Sequence, residues 1–234
     1  MIRESYLNAL VLFLLLAVPV WATIIDEPFT ITLATRAVIF ALAAVGLNIA
    51  LGLGGLVSLG HAVFFGIGGY AMGILAHHAQ TYTPVMSLPF LIEGTKSMPV
   101  IWLVAMASSG LAAFAIGTLS LRTTGVYFIM ITLAFGQMFY FFTISWPTYG
   151  GEDGLSVYVR NEFPGLNTLV PIHFFAICFI ILCLVLLLNA LIAKSPFGLA
   201  LNAARQMPKR VQAVGLNPNR LKLLAFVISG IIAG

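Results

Sequence analysis

The stretch KSPFGLALNAARQMPKRVQAVGLNPNRLK, residues 194–222, carries Lys194, Arg205, Lys209, Arg210, Arg220 and Lys222 and no acidic residue. These are six of the chain's 11 Lys and Arg residues, and long apolar runs flank the stretch on both sides. A basic island between membrane-length segments marks a cytoplasmic loop. Its punctuation makes it more than a connector. Ser195-Pro196 is a cap and start for a helix through Met207, because proline fits the first helical turn. Pro208 breaks or kinks that helix and starts another, which carries Lys209, Arg210, Val211 and Val214. Gly215 is a left-handed stop, and Asn217-Pro218 opens the helix that re-enters the membrane. Two short helices at the membrane surface are predicted. Anionic lipid would hold an amphipathic segment of this kind. Ala200, Ala203 and Ala204, however, make one face small rather than greasy, which suits a partner's cleft.

Composition agrees with a membrane setting. The 234 residues are 61% hydrophobic and 8% charged, with mean hydropathy +1.06, whereas soluble domains carry about 25% charged residues. The basic pI of about 9.3 is therefore a topology signal and not a nucleic-acid footprint. Cys178 and Cys183 lie inside one apolar run, fit neither a metal nor a redox spacing, and read as small apolar residues. No metal ligand set or cofactor motif is present.

Apolar runs fall near 6–25, 30–51, 56–79, 99–119, 126–146, 171–193 and 223–234. The first is longer than the usual secretory core, so it reads as a retained helix and not a signal peptide. Six runs are long enough to span the membrane. The last has 12 residues, about 18 Å as a helix, and reads as the start of a helix in a fragment of a longer protein. The expected fold is a single all-α polytopic membrane domain, 1–234, with about six complete transmembrane helices, a truncated seventh and the cytoplasmic loop 194–222. With the island inside, Arg3 and Arg122 join it there, while Arg36, Lys96 and Arg160 lie outside with Asp26, Glu27, Glu93, Glu152, Asp153 and Glu162. Treating 56–79 as a re-entrant loop reverses the helices before it at little cost in charge bias.

The third run begins at a glycine cluster. Gly52, Gly54 and Gly55 precede Ser58, Gly60 and His61. Such a cluster invites unwinding, and irregular backbone at depth persists only where protein or a water-lined cavity satisfies it. Beyond it, Ala62, Gly66, Gly69, Gly73 and Ala76 repeat at spacings of four, three, four and three, laying small side chains along one helix face. That face suits close helix packing, or the border of a substrate path. Gly66-Ile67-Gly68-Gly69-Tyr70-Ala71 matches a dinucleotide fingerprint in letters only, because no strand or βαβ unit surrounds it.

Polar residues within the runs are few. His61 reads equally as a functional intramembrane group or as a neutral imidazole bonded to a carbonyl. His77, His78 and His173 sit at run ends, as interfacial residues do. Arg36 snorkels to the outer interface or meets a substrate carboxylate there. Asn48, Thr132 and Gln137 bridge helices or line a path. No Asp or Glu lies deep in any run. Proton- and ion-driven carriers usually need such acids, so any active transport draws its energy elsewhere. The outer loop from Pro147 to Pro171 has Glu152 and Asp153 among glycines, a solvated acidic turn or a docking point, without the ligands of a calcium loop.

Three stretches resemble the permease subunits of ABC importers for branched-chain amino acids, nearest the M-type of the two paired permeases. They are Gly55 to Tyr70; Leu121 to Gln137 with Gly150 to Leu155; and Ser195 to Gly198 through Ala204-Arg205-Gln206, Ala213 to Asn217 and Lys222 to Phe226. The resemblance implies a coupling loop around Ala203, Ala204, Arg205 and Gly215 that docks on an ATP-binding cassette ATPase. It also implies a second permease subunit, an external binding protein and a place in the bacterial inner membrane. Met207-Pro208 departs from the polar or acidic pair common in that family. Ser58, His61, Gly66, Gly69, Gly73, Arg36, Asn48 and Gln137 are the candidate path residues. Two rivals remain: a passive channel for a small polar solute, which does not need the punctuated island, and an intramembrane hydrolase, for which Ser58 and His61 lack a nucleophile elbow.

Overall fold

The computed structural model describes residues 2–25, 27–86, 92–155, 157 and 160–234. Asp26 and the side chains of Arg3 and Glu93, all used in placing the charges, lie outside the described set. The helices in chain order are α1 (Ile2–Ile24), α2 (Pro28–Asn48), α3 (Ala62–Thr81), α4 (Met98–Ser120), α5 (Val126–Ile144), α6 (Pro171–Lys194), α7 (Pro196–Gln206), α8 (Pro208–Ala213) and α9 (Pro218–Ala233). A π-helical turn, Ile49–Leu53, extends α2. Proline stands in the first turn of α2, α4, α6, α7, α8 and α9, where its missing N–H removes no helical bond. A small antiparallel ribbon, β1 (Pro84–Met86) and β2 (Ile92–Glu93), follows α3; the apolar runs gave no sign of it.

Among the described residues, five helices are long and apolar enough to cross a membrane: α2 with its π turn, α3, α4, α5 and α6. The 23 residues of α1 include a shorter apolar stretch, Val11–Ile24, and α9 contributes 16 residues. The chain is an all-α polytopic membrane protein.

Two groups of helices share α2. On one side it packs with α1 and α6, through Ala22, Ile31, Val38, Phe175 and Leu182. On the other it meets α9, which also contacts α3 and α4 and so stands at the centre of the second group. Hydrophobic collapse does not drive helices together in lipid, so backbone proximity matters more. A Cβ at Gly46 of α2 would lie 3.2 Å from the Ser229 carbonyl of α9, and one at Gly230 would lie 2.5 Å from the Ala113 Cβ of α4. Helix α5 touches α3 and α4 and leaves Tyr127, Met130, Met138 and Phe141 exposed.

One helix boundary differs from the sequence expectation. The run at 56–79 predicts helix from Leu56, whereas α3 starts at Ala62. Between Gly54 and Gly60 the burial alternates: Gly54, Leu56, Ser58 and Gly60 are buried, and Gly55, Val57 and Leu59 are exposed. The chain there is not helical: Gly55 has a positive φ, residues 55–58 have no regular structure and Leu59–His61 form a turn. The apolar letters of Leu56, Val57 and Leu59 fit either conformation, and the glycines on both sides favour the open one.

Candidate functional site

The break between α2 and α3 is built in three steps. In the π turn, Gly54 N–H donates to Ile49 O at 3.2 Å, Gly55 N–H to Leu51 O at 3.1 Å and Leu56 N–H to Ala50 O at 2.9 Å. The chain then leaves the helix at Gly55, whose φ of +66° is in the left-handed region. From Val57 to Ala62 no backbone N–H has a partner among the described residues, and helical bonding resumes with Val63 N–H to Gly60 O at 3.1 Å. Single π turns often mark functional sites. Backbone left open at membrane depth belongs against protein or a hydrated path.

His61 closes the upper end of the break. Ser229 Oγ donates to Gly46 O at 2.6 Å and lies 3.2 Å from His61 Nε2. The single Ser229 proton is committed to Gly46, so Nε2 carries the imidazole hydrogen and donates to Ser229. The His61 ring also packs edge-on against Phe64 at 5.2 Å, and Phe64 against Phe226 at 5.4 Å. His61 Nδ1, Ser58 Oγ and Ser120 Oγ are buried without a hydrogen-bond partner in the described structure. The His61 imidazole is bonded to a hydroxyl and not to the carbonyl expected of a neutral packing histidine, and its Nδ1 has no partner among the described residues. The partner is Ser229, which the sequence reading passed over. A lone Ser-Gly inside the apolar run of α9 was the available signal.

The meeting of Ser229 with His61 supplies the Ser/His pairing that the sequence lacked, but not a nucleophile. Ser229 is fully buried, its proton is bonded to a carbonyl, and no carboxylate approaches His61 among the described residues. Nor does any group of three His, Cys, Asp or Glu residues among them form a metal site.

The glycine strip of α3 is divided in its surroundings. A Cβ at Gly66 would lie 3.7 Å from Phe139, one at Gly73 2.6 Å from Leu155, and one at Gly69 would meet nothing within 4 Å. The close helix packing expected of the strip is made instead by Gly68, against the Gly234 backbone, and by Gly60, against the Thr132 carbonyl. Arg36, Asn48 and Gln137 are exposed on their helices, and the Asn48 amide lies over Gly52 at the start of the break. At the outer end His78 bonds Thr83 Oγ1 at 2.8 Å and Tyr149 OH at 3.0 Å, joining α3 to the acidic turn.

The basic island folds as its punctuation predicts. Ser195 Oγ accepts from Gly198 N–H at the start of α7, and Asn217 Oδ1 accepts from the N–H groups of Asn219 and Arg220 at the start of α9. Helix α8 ends in a Schellman pair, Leu216 N–H to Val211 O and Gly215 N–H to Gln212 O, with Gly215 at φ +88°. Helix α7 buries Gly198, Leu201 and Ala204 and exposes Ala203 and Arg205. Leu201 packs with Ile49 of the π turn and Ala225 of α9. Arg205 Nη1 donates to Gly52 O at 2.5 Å. A Cβ at Gly55 would lie 2.9 Å from the Arg205 stem.

Membrane-spanning helices, an interrupted helix with open backbone and a capped pair of short basic helices define a multi-pass permease domain. The chain belongs to the family described as the permease component of the branched-chain amino acid transport system, whose model matches residues 29–234. It is similar to the high-affinity branched-chain amino acid transport system permease protein LivM of Escherichia coli (strain K12), at 28% identity over 251 aligned positions, covering 96% of this chain and 55% of that protein. The LivM of Salmonella typhimurium (strain LT2) is 27% identical over 231 positions, covering 88% of this chain and 50% of that protein. The chain spans about half the length of the curated relatives it matches. No solved structure matches it.

Proposed function

We propose that the chain is the membrane permease part of an ATP-driven importer for branched-chain amino acids or a closely related small polar solute. It resides in the bacterial inner membrane and works with ATP-binding cassette ATPase subunits, a second permease subunit and an external binding protein. It performs no hydrolysis itself; ATP is cleaved on the partner subunits. The observation that carries this reading is the open backbone from Val57 to Ala62, next to a π turn that the capped helix pair contacts through Leu201 and Arg205. A solute needs hydrogen-bonding groups along its way through the bilayer, and the unwound segment offers them. The absence of Asp and Glu within the apolar runs supports an energy source on a partner, with the helix pair as the surface that meets it.

Recovery of the full-length protein in mild detergent tests the assembly. The expected result is an ATPase and a second membrane subunit in the same particle, with leucine uptake into proteoliposomes that requires ATP. Solute conduction by the chain alone, without ATP, would replace this reading with the passive channel.

A further inference from the structure

Gly52 O sits where the π turn runs out. A continuing helix would bring it an N–H from four or five residues onward, but Leu56 N–H bonds Ala50 O and the chain then turns away at Gly55. The donor arrives from elsewhere in the chain: Arg205 Nη1, 153 residues away in sequence. A cationic donor at a helix C-terminus satisfies both the orphan carbonyl and the dipole. The Arg205 stem meanwhile lies against Gly55, where a Cβ would push it aside. One turn back on α7, Leu201 rests on Ile49 of the same π turn. Helix α7 therefore grips the break through an apolar contact and a charge-assisted hydrogen bond.

We propose that Arg205 is a positioning residue that ties α7 to the helix break, so that displacement of α7 is delivered to the segment carrying Ser58 and His61. This rests on the importer reading, in which α7 is the surface a partner moves. The physical basis is the lack of local support between the two ends of the break. No backbone N–H from Val57 to Ala62 is bonded among the described residues, so the shape of the segment follows its attachments. Those include Arg205 at Gly52 and Gly55 below, Leu56 in the core and Gly60 against the Thr132 carbonyl between, and Ser229 at His61 above. The lower attachment belongs to the cytoplasmic pair and the upper one to the core. Shifting one while the other holds changes the path between them. Arginine suits the task better than lysine, because its stem can lie on Gly55 while a fixed fork reaches the carbonyl.

The test uses the full-length protein with its co-purifying subunits in lipid nanodiscs, comparing wild type, Arg205→Lys and Arg205→Gln. Loss of one exposed charge-assisted bond predicts backbone exchange in residues 49–61 roughly three- to tenfold faster in Arg205→Gln, with Arg205→Lys between. Peptides from α4 and α6 keep their wild-type rates. A Val57→Cys probe labelled with an impermeant maleimide reads the transmission. Its labelling rate responds to ATP in the wild-type background and loses that response with Arg205→Gln while ATP hydrolysis continues. Unchanged exchange at 49–61, an equal rise throughout the protein, or a retained ATP response overturns the proposal. If no ATPase co-purifies, the importer reading fails separately and the exchange comparison alone decides whether the tie exists.

Discussion

Two interruptions of helix, one before α3 and one between α6 and α9, are built by opposite means. The basic one, from Ser195 to Pro218, is assembled from neighbours: Ser195 and Asn217 cap the helices they precede, prolines open each helix, and Gly215 closes α8. The membrane one, from Ile49 to His61, has few local bonds and is held from far along the chain. Arg205 reaches Gly52 across 153 positions and Ser229 reaches Gly46 across 183. Surface water can satisfy an imperfect cap, so local chemistry suffices in the loop. Where the chain is buried among helices there is less such reserve, and partners are brought in by tertiary packing, as Ser229 is at Gly46 and His61. The difference predicts where substitutions hurt most.

The largest effect is expected at Gly60. Its missing Cβ is replaced in space by the Thr132 carbonyl of α5, and backbone cannot retreat as a flexible side chain can. Gly60→Val should destabilise the protein by about 3 kcal/mol or more, by overpacking at a site that cannot relax. Thermal unfolding in detergent measures it, and a melting temperature equal to wild type would contradict the contact.

Ser229→Ala comes next. The substitution deprives His61 Nε2–H of its acceptor and Gly46 O of a donor, although Ile49 N–H still reaches that carbonyl. Leaving a buried donor unsatisfied costs about 1–3 kcal/mol. In a cycle with His61→Phe the two effects should fall short of their sum, since both remove one shared bond. Strict additivity would show that the two side chains act independently.

Asn217→Ala probes the local construction instead. Its amide oxygen accepts two N–H bonds at the start of α9, and its loss should cost about 1 kcal/mol. The exposed position lets water take over part of the role. A loss as large as that of Ser229→Ala would erase the proposed contrast between the two interruptions.

That contrast also sets what could be read from the letters. The island was legible to the residue because each of its devices, Ser195, Pro196, Pro208, Gly215, Asn217 and Pro218, acts within a few positions of itself. Gly52, Gly54 and Gly55 announced a break, but its length stayed hidden. Leu56, Val57 and Leu59 are equally at home in an apolar helix, and whether they coil depends on Thr132 standing over Gly60. Ser229 escaped notice for the same reason, as nothing near it in sequence points to His61 or Gly46. The small-residue strip misled in the other direction. Its spacing was real, yet the tight approach fell to Gly68, one position away from Gly69.

The smallest effect is therefore expected at Gly69, and it is the most informative about surroundings. A Cβ there meets nothing within 4 Å, and alanine is the better helix former. In the isolated chain Gly69→Ala should leave stability within about 0.5 kcal/mol of wild type. Gly73→Ala is the internal control, because Leu155 must move to admit its methyl group. A loss above about 1 kcal/mol at Gly69 in the isolated chain would mean the face is already filled. A loss confined to the assembled transporter would instead mean that another subunit lies against this strip, with the methyl group acting only once that subunit has closed over it.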